Sequence, residues 1–172
     1  SYYASPDPLR NPLIFYWGHT AAFYINKLVL AGLLQEGIDP YFEEIFARGV
    51  DPDLPENLDA MEVWPSVQEV DAYRRRVFQT VLLTIDRFEN GTFINNQSPW
   101  WSLLMGIEHD RIHLETSSVL LRQLPENELE KPERWVYAES QGLPPKNNWI
   151  EVPEGQVTLG KPLEHPEFGW DN

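Results

Sequence analysis

Hydrophobic and polar positions along the first forty residues predict one long helix. The run 13–34 is almost entirely apolar, an asparagine and a proline at 11–12 form a helix start, and Gly37 is taken as the end. We therefore predict a helix over 12–35. The run has the length of a membrane span, but Lys27 lies inside it, where a lysine costs about 2.5–3.5 kcal/mol on insertion. We interpret it as a buried helix of a soluble protein.

The next two predicted helices are separated by a long connection. The stretch PYFEEIFARG predicts a short helix that ends near Gly49, and residues 50–65 are rich in proline and aspartate, as loops are. Ser66 and Glu69 then form a capping box. Helical spacing of apolar residues predicts a second long helix that stops at Gly91; these residues are Val67, Val70, Tyr73, Val77, Val81, Ile85 and Phe88.

A third long helix is followed by chain of a different character. Ser98 and Pro99 repeat the cap-then-proline start, and the helix is predicted to run until Pro125. Beyond it prolines and glycines are frequent, and the alternation in IEVPEGQVTLGKP predicts strand rather than helix. We therefore predict an all-α fold, a four-helix bundle over 1–124, with a linker and an irregular tail with short strands over 125–172.

Composition narrows the class of function. The formal net charge is -14 and aromatic residues make up 13% of the chain, which indicates a folded acidic protein. Such a charge repels phosphate backbones and anionic membrane surfaces, and the only basic cluster is residues 74–76, so we expect neither a nucleic-acid nor a membrane partner. The chain has no cysteine, so any metal must bind to His, Asp or Glu. We expect a cytoplasmic protein.

Three of the four histidines lie inside predicted helices. His109 and His113 are four residues apart, which places both imidazoles on one helix face, and His19 lies in the apolar run of the first helix. For an arbitrary pair with this spacing, two imidazoles that merely share a face are the more common explanation. His165 lies in the tail, and we expect it to be solvated.

Two features favour a metal site over that explanation. Apolar neighbours on the same predicted helix are expected to surround the pair, and an imidazole buried among them would need a polar partner. Three such histidines on two facing helices together predict a site for a divalent transition metal with further coordination positions open. The flanking residues are Leu103, Leu104, Ile107, Ile112, Leu114 and Leu120.

The acids near the pair allow other interpretations. HDRIH imitates the zinc-protease motif HExxH with Asp110 in place of glutamate, which is a weak alternative because aspartate is shorter. Glu115 points away from both imidazoles on a straight helix; it either contacts the first helix and orients a ligand, or forms an ion pair with Arg111. A di-iron carboxylate site would need paired Glu-x-x-His motifs, which this chain lacks.

The segments that carry the histidines resemble a known family. HDRIHLE fits the HxxxHxE signature of the non-haem iron sulfoxide synthases of thiol-histidine biosynthesis, whose metal domain is a DinB-like four-helix bundle. PLIFYWGHTAAFYINKL, YFEEIFARGVD and GIEHDRIHLETSSVLLRQ are similar, more specifically, to the 5-histidylcysteine sulfoxide synthases of ovothiol biosynthesis. The resemblance implies Fe(II) on His19, His109 and His113. Glu115 matches the last acid of the motif, in a structural or ligand-orienting role.

The resemblance also implies substrates and a further domain. The substrates would be cysteine, histidine and O2, and the catalytic residues would lie mainly in a domain of the formylglycine-generating-enzyme type, whose opening VPEGQVTLGKPLEHPEFGWDN resembles. A second chain or domain would then complete the active site. Three alternatives stay open: an ergothioneine-type sulfoxide synthase, a DinB-like metal-dependent thiol transferase, and a non-catalytic metal-binding half. The half-protein would dock a partner through Trp100, Trp101, Trp135 and Trp149, although we favour ordinary core for the first two.

Overall fold

The computed structural model describes residues 2–47, 63–134, 136, 142–162, 165 and 167–170. Over these residues the fold is all-α, which confirms the predicted helical bundle. The helices are α1 (Leu13–Leu30), α2 (Pro40–Ile45), α3 (Val67–Ile85) and α4 (Trp101–Leu121), and a short 3-10 helix follows at Glu126–Glu128. Within the described residues, no helix is both long and apolar enough to cross a membrane.

Helix α1 is the centre of the fold, because it packs against each of the other three helices. Its inward side chains form most of one continuous core, in which Ile14, Ala22 and Ile25 are fully buried. Tyr73 and Val77 of α3 complete this core from the other side, as the helical spacing predicted. The apolar run of the first helix is thus explained by burial on several sides.

The ends of α1 differ from the prediction. The helix begins one residue later than expected, with Pro12 as its N-cap, and Asn11 is buried outside it. It ends at Leu30 rather than near residue 35, because Gly32 adopts a left-handed φ of 74°. The amide of Leu33 donates to the carbonyl of Leu28 at 2.9 Å, which closes the helix in a Schellman motif. The prediction that Gly37 ends the helix is therefore wrong, and Gly32 is the glycine that ends it.

The start of α3 is confirmed in atomic detail, whereas α4 begins late. The Ser66 side chain accepts from the amide of Glu69, and the Glu69 carboxylate accepts from the amide of Ser66 at 2.8 Å. Residues 98–100 form a turn instead of the first helical turn, because the amide of Trp101 donates to the carbonyl of Ser98 at 2.9 Å. The predicted end of the short helix near Gly49 lies outside the described residues.

The strand predicted in the tail is not formed in the described residues 142–162. An alternating segment needs a neighbouring strand to pair with, and these residues are exposed without one. Trp149 is fully exposed, and Trp100 and Trp101 are half-buried against Phe88 and Phe168 rather than deep in the core. Trp135 lies outside the described residues.

Candidate metal centre

The three helical histidines meet between α1 and α4. His19 comes from the middle of α1, and His109 and His113 face it from successive turns of α4. All three are buried, with 6%, 9% and 8% of their surfaces exposed. The facing-helix arrangement predicted from the sequence is thus the one that the fold produces.

The Nε2 atoms of the three rings point at one another. The His109 Nε2 atom lies 3.2 Å from the His19 Nε2 atom and 3.1 Å from the His113 Nε2 atom. A single imidazole nitrogen carries either one proton or one lone pair, so hydrogen bonds alone satisfy both contacts poorly. The convergence of three ring nitrogens on one point is better explained by a shared cation.

The orientation of His19 is fixed by α2. Its Nδ1–H donates to the Phe46 carbonyl at 2.6 Å, and this bond leaves the Nε2 lone pair facing the other two histidines. Phe46 is the C-cap residue directly after α2, and the Asn26 side chain of α1 donates to the Glu43 carbonyl of α2 at 3.2 Å. The packing of α2 on α1 therefore fixes the position of the Phe46 carbonyl oxygen that orients the His19 ring.

The hydrogen bond between His19 and the Phe46 carbonyl requires a glycine at position 18. Gly18 was not among the residues predicted from the sequence to matter for the site. A Cβ atom at position 18 would lie 2.3 Å from the Phe46 ring, which is itself completely buried. Gly106 allows a similarly close approach of α1 to α4, because a Cβ atom there would lie 2.1 Å from the Tyr24 ring. The signal available in the sequence was a glycine inside each predicted helix, where glycine costs about 1 kcal/mol and needs a packing reason.

Aromatic rings enclose the cluster from the α1 side. The Phe15 ring stacks on His19 with centroids 5.1 Å apart, and the Phe23 ring stacks on His109 at 3.6 Å. Tyr16 covers His113 at 5.8 Å. The prediction that α4's own apolar residues surround the pair is wrong for Ile107 and Leu114, which are exposed on the outer faces of that helix. Ile112 is also exposed, although it lies on the same side as the two histidines.

Burial keeps the three imidazoles neutral. Desolvation lowers the pKa of His19, against the opposing effect of the Phe46 carbonyl. It lowers the pKa of His109 to about 3, helped by the nearby His113 and His19, and that of His113 to about 4, helped by His19. Neutral imidazoles at physiological pH are the form that binds metal ions.

The donor set fits a divalent transition metal. Two imidazole nitrogens at about 2.0–2.1 Å from one ion, with a bond angle between about 90° and 110°, lie about 2.8–3.4 Å apart. The two Nε2 distances of 3.1 and 3.2 Å fall in this range. The Nδ1 atoms of His109 and His113 are buried without a hydrogen-bond partner in the described structure, so these two rings are held by packing. Imidazole ligands suit iron, zinc, copper and nickel.

The predicted acidic candidates lie away from the cluster. Asp110 accepts a hydrogen bond from the Tyr24 hydroxyl at 3.2 Å, and its pKa is raised chiefly by burial. In the zinc-protease motif the corresponding acid is a general base beside the metal, and the bond from Tyr24 occupies the Asp110 carboxylate instead. Glu115 is exposed, and Arg111 pairs with Glu108 at 2.8 Å rather than with Glu115.

The remaining histidine is also remote from the cluster. His165 is exposed in the tail, and its Nδ1 atom accepts from the amide of Glu167 at 3.3 Å. Because it belongs to the irregular chain after α4, it serves as a natural control for the three buried histidines.

A cavity of about 440 Å³ opens beside the α4 histidines. Its wall includes both His109 and His113, so the cluster is closed by aromatic rings on one side and accessible on the other. The other lining residues come from the N-terminal segment, α1, α4 and the turn after α4: Asp7, Arg10, Tyr16, Ile112, Thr116, Val119, Leu120 and Gln123.

Fold and site together define a helical bundle with three clustered histidines of the kind that holds a metal ion. The DinB superfamily matches residues 1–117, a span that contains all three histidines, and the chain belongs to that superfamily. Ergothioneine biosynthesis protein 1 of Neurospora crassa is 28% identical over 190 residues, which cover 97% of this chain and 21% of that protein. The protein of the same name from Schizosaccharomyces pombe is 25% identical over 179 residues, covering 94% of this chain and 22% of its own length. The chain thus spans about a fifth of the length of these two relatives.

Proposed function

We propose that the protein is a non-haem Fe(II)- and O2-dependent sulfoxide synthase that joins the sulfur of cysteine to the imidazole ring of histidine. The observation that carries the proposal is the convergence of three buried, neutral histidines beside an accessible cavity. Support comes from the two relatives named for ergothioneine biosynthesis, because ergothioneine also carries sulfur on a histidine ring.

The proposed reaction balances with O2 as the only oxidant. The cysteine S–H and one imidazole C–H bond are broken, and a carbon–sulfur bond forms between the two amino acids. One oxygen atom of O2 ends on sulfur as the sulfoxide, and the other leaves as water. The four electrons that O2 accepts come from the coupling step and from the oxidation of sulfur, two from each. An iron ion held by the histidines would supply this oxygen chemistry.

The residues of this chain hold and shield the reacting groups. Three neutral ligands leave the full charge of a divalent ion uncompensated, which favours the thiolate form of an approaching cysteine. The Phe15 and Phe23 rings exclude water from the α1 side of the centre. The cavity in front of His109 and His113 gives access from the other side, and we propose that the substrates enter there. We propose that a further domain or chain closes this side.

A second candidate is favoured by the relatives. Both are named for ergothioneine biosynthesis, which makes a trimethylated histidine the alternative acceptor of sulfur. The same metal centre would serve either reaction. The two candidates differ only in the acceptor, and therefore in what the far end of the substrate pocket must recognise.

Turnover with defined substrates tests the proposal. The chain, and any longer gene product that contains it, is loaded anaerobically with Fe(II) and given cysteine with either histidine or trimethylated histidine, and then O2. We expect O2 uptake and a product that combines both amino acids with one added oxygen, with histidine the preferred acceptor. Preference for the trimethylated acceptor would support the second candidate. Thiol transfer with Zn(II) and without O2 uptake would contradict both candidates.

A further inference from the structure

We infer that Phe23 is a positioning residue of the metal centre, which holds His109 through a stacked ring in place of a hydrogen bond. This inference rests on the metal centre of the proposed function but on neither of its substrates. A ligating imidazole usually donates its second ring nitrogen to an oxygen, as His19 does to the Phe46 carbonyl. His109 lacks such an acceptor, because its Nδ1 atom is buried without a hydrogen-bond partner in the described part of the chain.

The Phe23 ring covers His109 almost face to face. The two ring centroids are 3.6 Å apart and the ring planes differ by 9°, so the imidazole lies over the phenyl face and not at its edge. The Phe15 ring stacks on His19 more loosely, with centroids 5.1 Å apart and planes that differ by 19°. Of these two stacked histidines, the one without a hydrogen-bond acceptor therefore has the closer ring.

The close stack follows from the spacing of rings on two helices that run in opposite directions. Phe23 is one turn after His19 on α1, and His109 is one turn before His113 on α4, so each helix presents two rings on one face. Residues early in α1 face residues late in α4, which places Phe23 opposite His109. Gly106, one turn before His109, allows the two helices to approach closely at this level.

The stack strengthens when a metal ion binds. A cation on Nε2 draws electron density from the imidazole and leaves that ring partly positive, and the face of a phenyl ring attracts positive charge. The contact between Phe23 and His109 is therefore stronger in the metal-bound chain than in the metal-free chain. Phe23 thus contributes to metal affinity as well as to packing, unlike a side chain that only fills space.

Matched variants that replace a ring by an aliphatic side chain separate positioning from packing. Phe23→Leu removes the ring stacked on His109, whereas in the comparison variant Phe15→Leu the Phe46 carbonyl still orients His19. Phe23→Tyr keeps a planar ring at position 23. Each metal-free chain is titrated anaerobically with Co(II) alone, whose visible absorption bands depend on the arrangement of its ligands. Chemical unfolding of each metal-free chain measures the loss of packing separately.

We expect Phe23→Leu to weaken Co(II) binding by about 10- to 100-fold, the range for a lost orienting partner of a ligating histidine, and to change the visible bands. Phe15→Leu should weaken binding by less than about 3-fold and keep the wild-type bands, because the hydrogen bond remains. It should nevertheless destabilise the metal-free chain at least as much, since Phe15 is more deeply buried. Phe23→Tyr should restore both affinity and bands. If Phe23→Leu does not fold, Phe23→Met is measured in its place.

Each other outcome has one meaning. Wild-type affinity and bands in Phe23→Leu would overturn the positioning role and leave the proposed function standing. Equal weakening in Phe15→Leu, weakening without a change in the bands, or a Phe23→Tyr chain as weak as Phe23→Leu would show that lost packing explains the effect, and would also overturn that role. A wild-type chain that binds no Co(II) would overturn the metal centre of the proposed function, and this inference with it.

Discussion

Replacing Gly18 with alanine tests how the fold orients the metal centre. Alanine is better than glycine inside a helix by about 1 kcal/mol, so propensity alone predicts a more stable protein. The added Cβ atom, however, would lie 2.3–2.5 Å from three atoms of the Phe46 ring. That ring is fully buried and packed on Phe15 and Phe42, so it cannot move without disturbing the core.

The two effects can be weighed against each other. Overpacking of a buried site costs about 1–3 kcal/mol, so the net change in the free energy of unfolding should be a loss of about 0–2 kcal/mol. The effect on metal binding should be larger, because any shift of Phe46 moves the carbonyl that accepts from His19 Nδ1. Losing such an orienting partner reduces metal affinity by about 10- to 100-fold.

Chemical unfolding of the metal-free chain and anaerobic Fe(II) titration measure the two effects separately. Gly155→Ala is the control, because Gly155 has no positive φ and no atom within 4 Å of an added Cβ. A Gly18→Ala chain that gains about 1 kcal/mol and binds iron as tightly as the wild type would refute the reasoning, since Phe46 would then have moved freely.

Two further predictions concern the same core. The pKa values of about 3 for His109 and about 4 for His113 lie below the unfolded value, so the unfolded chain takes up protons first. The metal-free chain should therefore lose about 1.4 kcal/mol per pH unit for each histidine as the pH falls from about 6.5 to about 4. The double variant with glutamine at both positions should lose this slope in pH-dependent denaturation, and an unchanged slope would contradict the assignment. Tyr24→Phe removes the hydroxyl that donates to Asp110 and should destabilise the chain by about 1–2 kcal/mol; no change in chemical unfolding would show that water replaces the donor.

The helices could be predicted from the sequence because their signals are local. The Ser66 capping box and the spacing of Val70, Tyr73 and Val77 need no knowledge of the rest of the fold, and the structure confirms them. The end of α1 could not be predicted, because Gly32 and Gly37 are both glycines and only the backbone conformation distinguishes them.

The candidate site was predictable in its ligands but not in its surroundings. The four-residue spacing of His109 and His113, together with His19 on another helix, identifies the three residues that the fold brings together. The residues around these histidines come from distant segments of the chain. The Phe46 carbonyl orients His19, and Arg10 lines the adjoining cavity. No periodicity links those residues to the histidines, so only the folded structure reveals them.

Anaerobic titration of the metal-free chain with Fe(II) tests the central claim most directly. The wild-type chain is compared with His19→Ala and His109→Ala, and His165→Ala serves as the control in the exposed tail. The three-histidine centre predicts one tightly bound iron per chain, loss of tight binding in both buried variants, and no change in the control. Tight binding that survives without His19, or that depends equally on His165, would contradict the metal centre between α1 and α4.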